Sequence, residues 1–260
     1  MTEQEWLECI DPFKKLCLFR GRLRNRFNRK IRLFACACCR RIWDHFVDER
    51  SRKAVEVAER YADGGATDEE LSAASTAAGQ AYGEVFEKVG KVGACIEWAA
   101  VYAAHPIPFH GARNVVWMAA TFRSFEIRTK RPHESDEVRQ FPCTLTKNTG
   151  PLSSVLGKWN VKRLNKPQAT GAEKPIQIEL LKDIFGNPFH PVTLNPAWLT
   201  PSVVNLAQAI YDDRAFARMP DLADALHEAG CDNDEILSHC RGPGPHVRGC
   251  WVVDLLLGKE

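Results

Sequence analysis

Apolar and polar residues alternate between positions 54 and 89 with the period of an amphipathic α-helix. Gly64 and Gly65 interrupt the pattern, and glycine readily takes the left-handed conformation that ends a helix. Thr67 and Glu70 then have the spacing of a capping box, which starts a new helix. The pattern predicts two antiparallel helices joined by a short turn, with buried faces formed by Ala54, Val57, Ala58 and Tyr61 before the turn and by Leu71, Ala74, Ala78, Tyr82, Val85 and Val89 after it.

The C-terminal part of the chain shows the same kind of helix start and end signals. Thr200 precedes a proline, which is favoured at the first position of a helix. Residues 220–230 form a second apolar stripe between a proline and a glycine, and Asp232 with Glu235 has the capping-box spacing of a third helix. Residues 250–258 are apolar on nearly every side, which predicts a central, mostly buried helix.

The segment 126–175 has a different character, because only 13 of its 50 residues are hydrophobic. An irregular connection of this length is unusual inside a compact domain, so we predict a poorly ordered basic insert or linker, with a short hairpin around FPCTLTK and KWNVKRL. We therefore expect an all-α protein of helical hairpins or bundles. Its predicted parts are an N-terminal helical region (1–125), the insert (126–175) and a C-terminal helical domain (176–260).

The composition is that of a soluble globular protein, with 260 residues, of which 45% are hydrophobic and 26% are charged. The first ten residues lack the features of a secretory signal, and the most apolar window is too short to cross a bilayer. We therefore expect a cytoplasmic protein without membrane association. The ten cysteines then predict small buried side chains or reactive thiols rather than a disulfide framework.

Charge alternates in blocks along the chain, with a net charge of +7 over residues 1–43 and −6 over residues 44–97. The run from Lys14 to Arg41 holds 11 basic residues, no acidic residue and several phenylalanines. Together with segment 126–166, this run would suit nucleic acid, since cations follow phosphates and aromatic rings stack on bases. The alternative, which we favour, is a solvated face or one paired with the acidic block of the same molecule.

Two stretches of the sequence are distinctive, the N-terminal RLFACACCRRIW and the C-terminal HCRGPGPHVRGCWVVDLLLGKE. They resemble an uncharacterised paralogous family of planctomycete bacteria. The resemblance covers roughly residues 1–110 and 176–260, while residues 111–175 depart from the alanine-rich helical middle of such a relative. It implies no activity and no catalytic residues.

The cysteine-rich stretch CACC contains Cys36, Cys38 and Cys39. On a helix Cys36 and Cys39 share a face, but Cys38 points away from them. One metal ion would bind at most two of these thiols, and the paired C-x2-C spacing of zinc sites is absent from the sequence. We therefore predict buried, structural thiols here.

The stretch HCRGPGPHVRGC (239–250) is the other candidate site. If its glycines and prolines turn the chain back on itself, then Cys240, His246 and Cys250 would converge on a metal ion, with His239 as an additional ligand.

Arg241, His246 and Arg248 in the same stretch would instead bind an anion near the start of the following helix. The simpler interpretation is a rigid corner whose arginines pair with acidic residues nearby, such as Asp232, Asp234 and Glu235. We favour this interpretation from the sequence.

The sequence shows no Walker or Rossmann glycine loop, no G-x-S-x-G and no H-E-x-x-H motif. We therefore expect no catalytic residues and no cofactor. Our leading hypothesis is a non-enzymatic, intracellular interaction or regulatory module that binds an unidentified protein partner. Nucleic-acid binding is the first alternative, and a small metal or anion site in the 239–250 stretch is the second.

Overall fold

The computed structural model describes residues 1–20, 27–129 and 173–259. Within these ranges every regular element is a helix, which confirms the predicted all-α class. None of the described helices combines the length and the apolar character that crossing a membrane requires.

Before residue 130 the described chain forms α1 (Glu3–Glu8), α2 (Pro12–Cys17), α3 (Asn28–Arg40), α4 (Glu49–Ala62), α5 (Asp68–Ala103) and α6 (Pro108–Thr129). After residue 172 it forms α7 (Glu173–Phe185), α8 (Pro201–Asp213), α9 (Met219–Glu228), α10 (Asp234–Arg241) and α11 (Trp251–Leu257). Short 3-10 turns lie at Trp43–His45, Pro196–Trp198 and Phe216–Arg218.

The predicted helical hairpin is formed by α4 and α5. Gly64 has a φ of 74°, and the chain reverses there. The amide of Glu70 donates to Thr67 Oγ1 over 3.2 Å, and the amide of Thr67 donates to the Glu70 carboxylate over 2.8 Å. This reciprocal pair is a capping box, as predicted. The helix then continues to Ala103, well beyond the apolar stripe that the sequence suggested.

The helix starts of the C-terminal part were predicted with one error. Thr200 Oγ1 accepts from the amide of Val203, so this cap is confirmed. The capping box of Asp232 and Glu235 is wrong, because Asn233 caps α10 by accepting from the amide of Ile236 over 3.0 Å. Asparagine and aspartate are equally good caps, so the sequence pattern alone placed the start one residue early.

The helices pack around two apolar cores. The first core is built by α1 to α7 and includes Phe34 and Leu181, and the second is built by α8 to α11 and includes Ile210 and Val253. Helix α7 thus packs with the N-terminal helices, although its sequence lies in the part that was predicted as the C-terminal domain from residue 176. We call the surface between the two cores the seam.

The seam is rich in polar contacts, among which a cluster around Arg29 is the most extensive. Arg29 of α3 donates to both carboxylate oxygens of Asp254 in α11 and to the hydroxyl of Tyr211 in α8. Its Nε–H also donates to Asp63, which accepts from the Tyr211 hydroxyl over 2.7 Å. Only 12% of the Arg29 side chain and 2% of the Asp254 side chain are exposed. This Arg29 cluster (Arg29, Asp63, Tyr211 and Asp254) therefore ties the two cores together through buried charge.

The ends of the predicted insert 126–175 are helical, since α6 runs to Thr129 and α7 begins at Glu173. The remainder of the insert, with the hairpin predicted around FPCTLTK and KWNVKRL, lies outside the described residues.

Candidate metal centre

Four side chains that carry metal-binding atoms converge at the seam: Asp183, His239, His246 and Cys250. One atom from each residue lies within 4.8 Å of the corresponding atoms of the other three. Asp183 comes from α7 of the first core and His239 from α10 of the second. His246 lies in the loop between α10 and α11, which we call the 242–250 loop, and Cys250 is the residue immediately before α11.

Two glycines give the 242–250 loop its path. Gly244 and Gly249 have φ values of 78° and 94°, in the left-handed region that other residues rarely adopt. A Cβ atom on Gly244 would lie 2.8 Å from the backbone nitrogen of His246. A Cβ atom on Gly249 would lie 2.9 Å from Leu33 Cδ1 of α3. The loop therefore turns back tightly enough to bring His246 and Cys250 to the same carboxylate.

Three of the distances between these ligand atoms are close to those of a tetrahedral metal site. Asp183 Oδ1 lies 2.8 Å from His246 Nδ1 and 3.2 Å from His239 Nε2. His239 Nε2 also lies 3.2 Å from Cys250 Sγ. Zinc bonds to nitrogen, oxygen and sulfur place neighbouring ligand atoms about 3.3 to 3.6 Å apart. All four ligand atoms lie within 4.8 Å of one another, so modest shifts of these atoms would place them around one ion.

The arrangement differs from a Cys–His–Asp nucleophilic triad. In a triad the imidazole faces the nucleophile with one ring nitrogen and the orienting carboxylate with the other. Here the same nitrogen, Nε2 of His239, faces both Cys250 and Asp183. Nitrogen, oxygen and sulfur thus point towards one common position, as ligands of a single ion do.

Backbone groups orient two of the four ligands. The amide of Val247 donates to Asp183 Oδ2 over 3.0 Å, which leaves Oδ1 facing the other three side chains. His246 Nε2 lies 3.4 Å from the carbonyl oxygen of Gly242, so that Nδ1 faces Asp183. Contacts of this kind are typical of metal sites, because they fix both the tautomer and the direction of each ligand.

The site is partly buried, and burial and the charge of Asp183 shift the pKa values of its groups. Asp183 and Cys250 have exposed fractions of 2% and 0%, whereas both histidines are partly exposed. Burial alone would lower the pKa of His246, but the hydrogen bond and the negative charge of Asp183 outweigh it and raise this pKa above its ordinary value. Burial, followed by the charge of Asp183, raises the pKa of Cys250 well above its ordinary value. A bound cation would favour the thiolate instead, since it compensates the charge directly.

The sequence-predicted metal ligands are only partly brought together. His246 and Cys250 belong to the group, but Cys240 does not. Cys240 follows His239 directly on α10, so its side chain points to another side of that helix and packs into the second core. His239, which the sequence analysis named as an additional ligand, belongs to the group, and the carboxylate of Asp183 takes the place of the Cys240 thiol.

The three residues predicted to bind an anion are directed to three different carboxylates. Arg241 pairs with Asp224 over 3.3 Å, and His246 contacts Asp183. Arg248 Nε lies 3.3 Å from Asp63 Oδ2, as an ion pair rather than as an aligned hydrogen bond. The two arginines therefore pair with Asp224 and Asp63 rather than with the acidic residues that the sequence suggested.

The other two candidate regions, the CACC stretch and the described part of the basic run, mainly make contacts within the protein. Cys36, Cys38 and Cys39 are buried, as predicted, and burial raises the pKa of each thiol. The described part of the basic run Lys14–Arg41 has internal partners for several of its arginines. These contacts are Arg29 with Asp254, Arg32 with the carbonyl oxygen of His105, Arg40 with Glu59 and Arg41 with Glu173.

Asp183 was missed by sequence reasoning, although the sequence carries a signal for it. It interrupts an apolar stripe, because Leu180, Leu181 and Ile184 around it are all buried in α7. An acidic residue at such a position needs a buried partner, and a cation or a histidine is a suitable one.

Comparisons with protein-family models, with curated proteins and with solved structures found no match for this chain. The resemblance to the planctomycete family described above therefore stays a prediction.

Proposed function

We propose that the protein binds one zinc ion through Asp183, His239, His246 and Cys250, and that this ion holds its two helical cores together. The observation that supports the proposal is the convergence of four ligand atoms of suitable type on a single position. This proposal takes up the metal-site alternative from the sequence, with a different set of ligands.

The chemistry of the four side chains favours zinc. Thiolate and imidazole ligands are typical of zinc sites, and a carboxylate oxygen is also an accepted zinc ligand. Calcium and magnesium prefer sites made of oxygen atoms, which this group does not provide. Four protein ligands complete a tetrahedral shell, and the burial of Asp183 and Cys250 restricts access by water. Both features are typical of structural zinc rather than of catalytic zinc, which keeps an open position.

A structural ion fits the broader hypothesis of a non-enzymatic interaction module. Three ligands come from the second core and one from the first, so binding of the ion fixes how the two helical surfaces lie relative to each other. A protein partner that recognises both cores would then require the metal-bound arrangement. Nucleic acid is a less suitable partner, because four of the five described arginines of the basic run are already paired with carboxylates or carbonyl oxygens.

The proposal is tested by adding cobalt(II), a spectroscopic substitute for zinc, to metal-free protein. We expect saturation at one ion per chain, with tetrahedral ligand-field absorption and a sulfur-to-cobalt charge-transfer band. Zinc should displace the cobalt. At a free zinc concentration 100 times the Kd, the free energy of unfolding should rise by about 2.7 kcal/mol.

Two matched cysteine variants locate the thiolate ligand. Cys250→Ser should remove the charge-transfer band, whereas Cys240→Ser should keep it, because Cys240 packs into the second core. Loss of the band in both variants would indicate the ligand set first suggested by the sequence. Absence of stoichiometric cobalt and zinc binding by the folded, reduced protein would refute the proposal.

A further inference from the structure

Arg248 lies between two of the proposed ligands, His246 and Cys250, yet its side chain points to the other side of the loop. Its guanidinium group lies 4.6 Å from the centre of the Tyr211 ring, within the range of a cation–π interaction. Its Nε lies 3.3 Å from Asp63 Oδ2. The Arg248 side chain is 20% exposed, so these contacts are partly shielded from water.

The residues that receive Arg248 are themselves held in place. Tyr211 donates to Asp63, and both are hydrogen bonded to Arg29. Arg29 is in turn held by both oxygens of Asp254. Arg248 therefore docks on a carboxylate and a ring whose positions the Arg29 cluster has already fixed.

The backbone on either side of Arg248 also contacts the first core. Val247 packs against that core, and its amide binds Asp183. Gly249 lies so close to Leu33 that the chain has no room for a side chain there. The middle of the loop thus packs against the first core, while His246 and Cys250 face the proposed metal position.

From this geometry we infer that Arg248 is a positioning residue for the metal, which couples ion binding to the Arg29 cluster across the seam. The inference rests on the proposed function. Docking of Arg248 on Asp63 and Tyr211 holds the loop in the conformation in which its two ligands meet Asp183. Without that docking the ion itself must order the loop. The affinity for zinc then falls, because part of the binding free energy is used to order the loop. The coupling is reciprocal, because an ion that orders the loop also strengthens the contact of Arg248 with Asp63.

Arg241, the last residue of α10 and the one directly before the 242–250 loop, provides a matched control. It is also an arginine in an ion pair with a carboxylate, over the same 3.3 Å distance. Its partner Asp224 belongs to α9, in the second core, so this pair does not cross the seam. Comparing the two arginine variants therefore separates the effect of losing an arginine in this region from the effect of losing the contact with the first core.

The experiment is a competition titration of zinc against a chromophoric chelator, on variants whose folding is checked by circular dichroism. Arg248→Met should raise the Kd for zinc by about tenfold or more, the range observed when residues that orient metal ligands are replaced. Arg241→Met should change it less than about twofold, in line with the small energies of exposed ion pairs. Arg248→Lys keeps the cation above the ring and should bind with intermediate affinity.

A second variant keeps the inference testable if Arg248→Met does not fold. Asp63→Asn leaves the loop sequence intact and removes the charge that faces Arg248, so it should also weaken zinc binding. Unchanged affinity in the folded Arg248→Met or Asp63→Asn protein would overturn the inference while the proposed function stands. Failure of the unmodified protein to bind zinc would overturn both.

Discussion

Replacing Gly249 by alanine measures how tightly the 242–250 loop is pressed against α3. Gly249 has a φ of 94°, and a Cβ atom there would lie 2.9 Å from Leu33 Cδ1 and 3.3 Å from Leu33 Cβ. The left-handed backbone costs an alanine about 1 to 2 kcal/mol. Forcing an extra methyl group into a packed position costs about 1 to 3 kcal/mol more. Gly249→Ala should therefore lower the free energy of unfolding by about 2 to 5 kcal/mol.

Gly230→Ala is the control for the backbone contribution. Gly230 has a φ of 82°, but a Cβ atom there would meet nothing within 4 Å. Gly230→Ala should therefore lower the free energy of unfolding only by the backbone contribution, about 1 to 2 kcal/mol. The assay is urea unfolding followed by circular dichroism, with free energies compared at equal m values.

The difference between the two glycine variants measures the contact with Leu33. Adding Leu33→Ala to Gly249→Ala removes the 2.9 Å contact with Leu33 Cδ1, so the double variant should lose less free energy than the two single losses together. Equal losses in Gly249→Ala and Gly230→Ala would refute the reasoning, because the loop would then move away from α3 at no cost.

Two further predictions concern groups outside the metal site. Glu59 is buried and pairs with guanidinium groups of both cores, so Glu59→Gln should lower the free energy of unfolding by about 2 to 4 kcal/mol in urea titrations. The exposed Glu84→Gln should lose less than about 1 kcal/mol, and equal losses would contradict this prediction. Burial lowers the pKa of His105, whose Nδ1 accepts from the amide of Ile107. The stability it contributes is therefore present above the ordinary histidine pKa and is lost as the pH falls through the folded-state value, so the advantage of the unmodified protein over His105→Asn should shrink between pH 7 and pH 5. A constant difference in unfolding free energy would refute this assignment.

The local features of the fold were predictable because neighbouring residues determine them. The hairpin of α4 and α5 follows from Gly64 and from the capping box of Thr67 and Glu70, which lie within a few residues of one another. The buried thiols follow from helical period alone. The start of α10 was misplaced because Asp232 and Asn233 are both good caps, and only the three-dimensional packing selects between them.

Three of the four residues of the candidate site could be named from the sequence, because His239, His246 and Cys250 lie in one conspicuous stretch. Asp183 could not, since it lies 63 residues before His246. No local pattern states that α7 packs against the first core and presents this carboxylate to the loop. Cys240 was chosen for its position in the sequence, but the helix turns it towards the second core.

The Arg29 cluster also limits when this chain can finish folding during its synthesis. Arg29 binds the carboxylate of Asp254, which is added 225 residues later during translation. At common elongation rates, that delay is about 10 to 45 s. Throughout this interval the guanidinium of Arg29 lacks its main counter-ion, so α3 must stay hydrated on that side. The first core can therefore gather its apolar residues early, but Arg29 meets Asp254 only after α11 has left the ribosome.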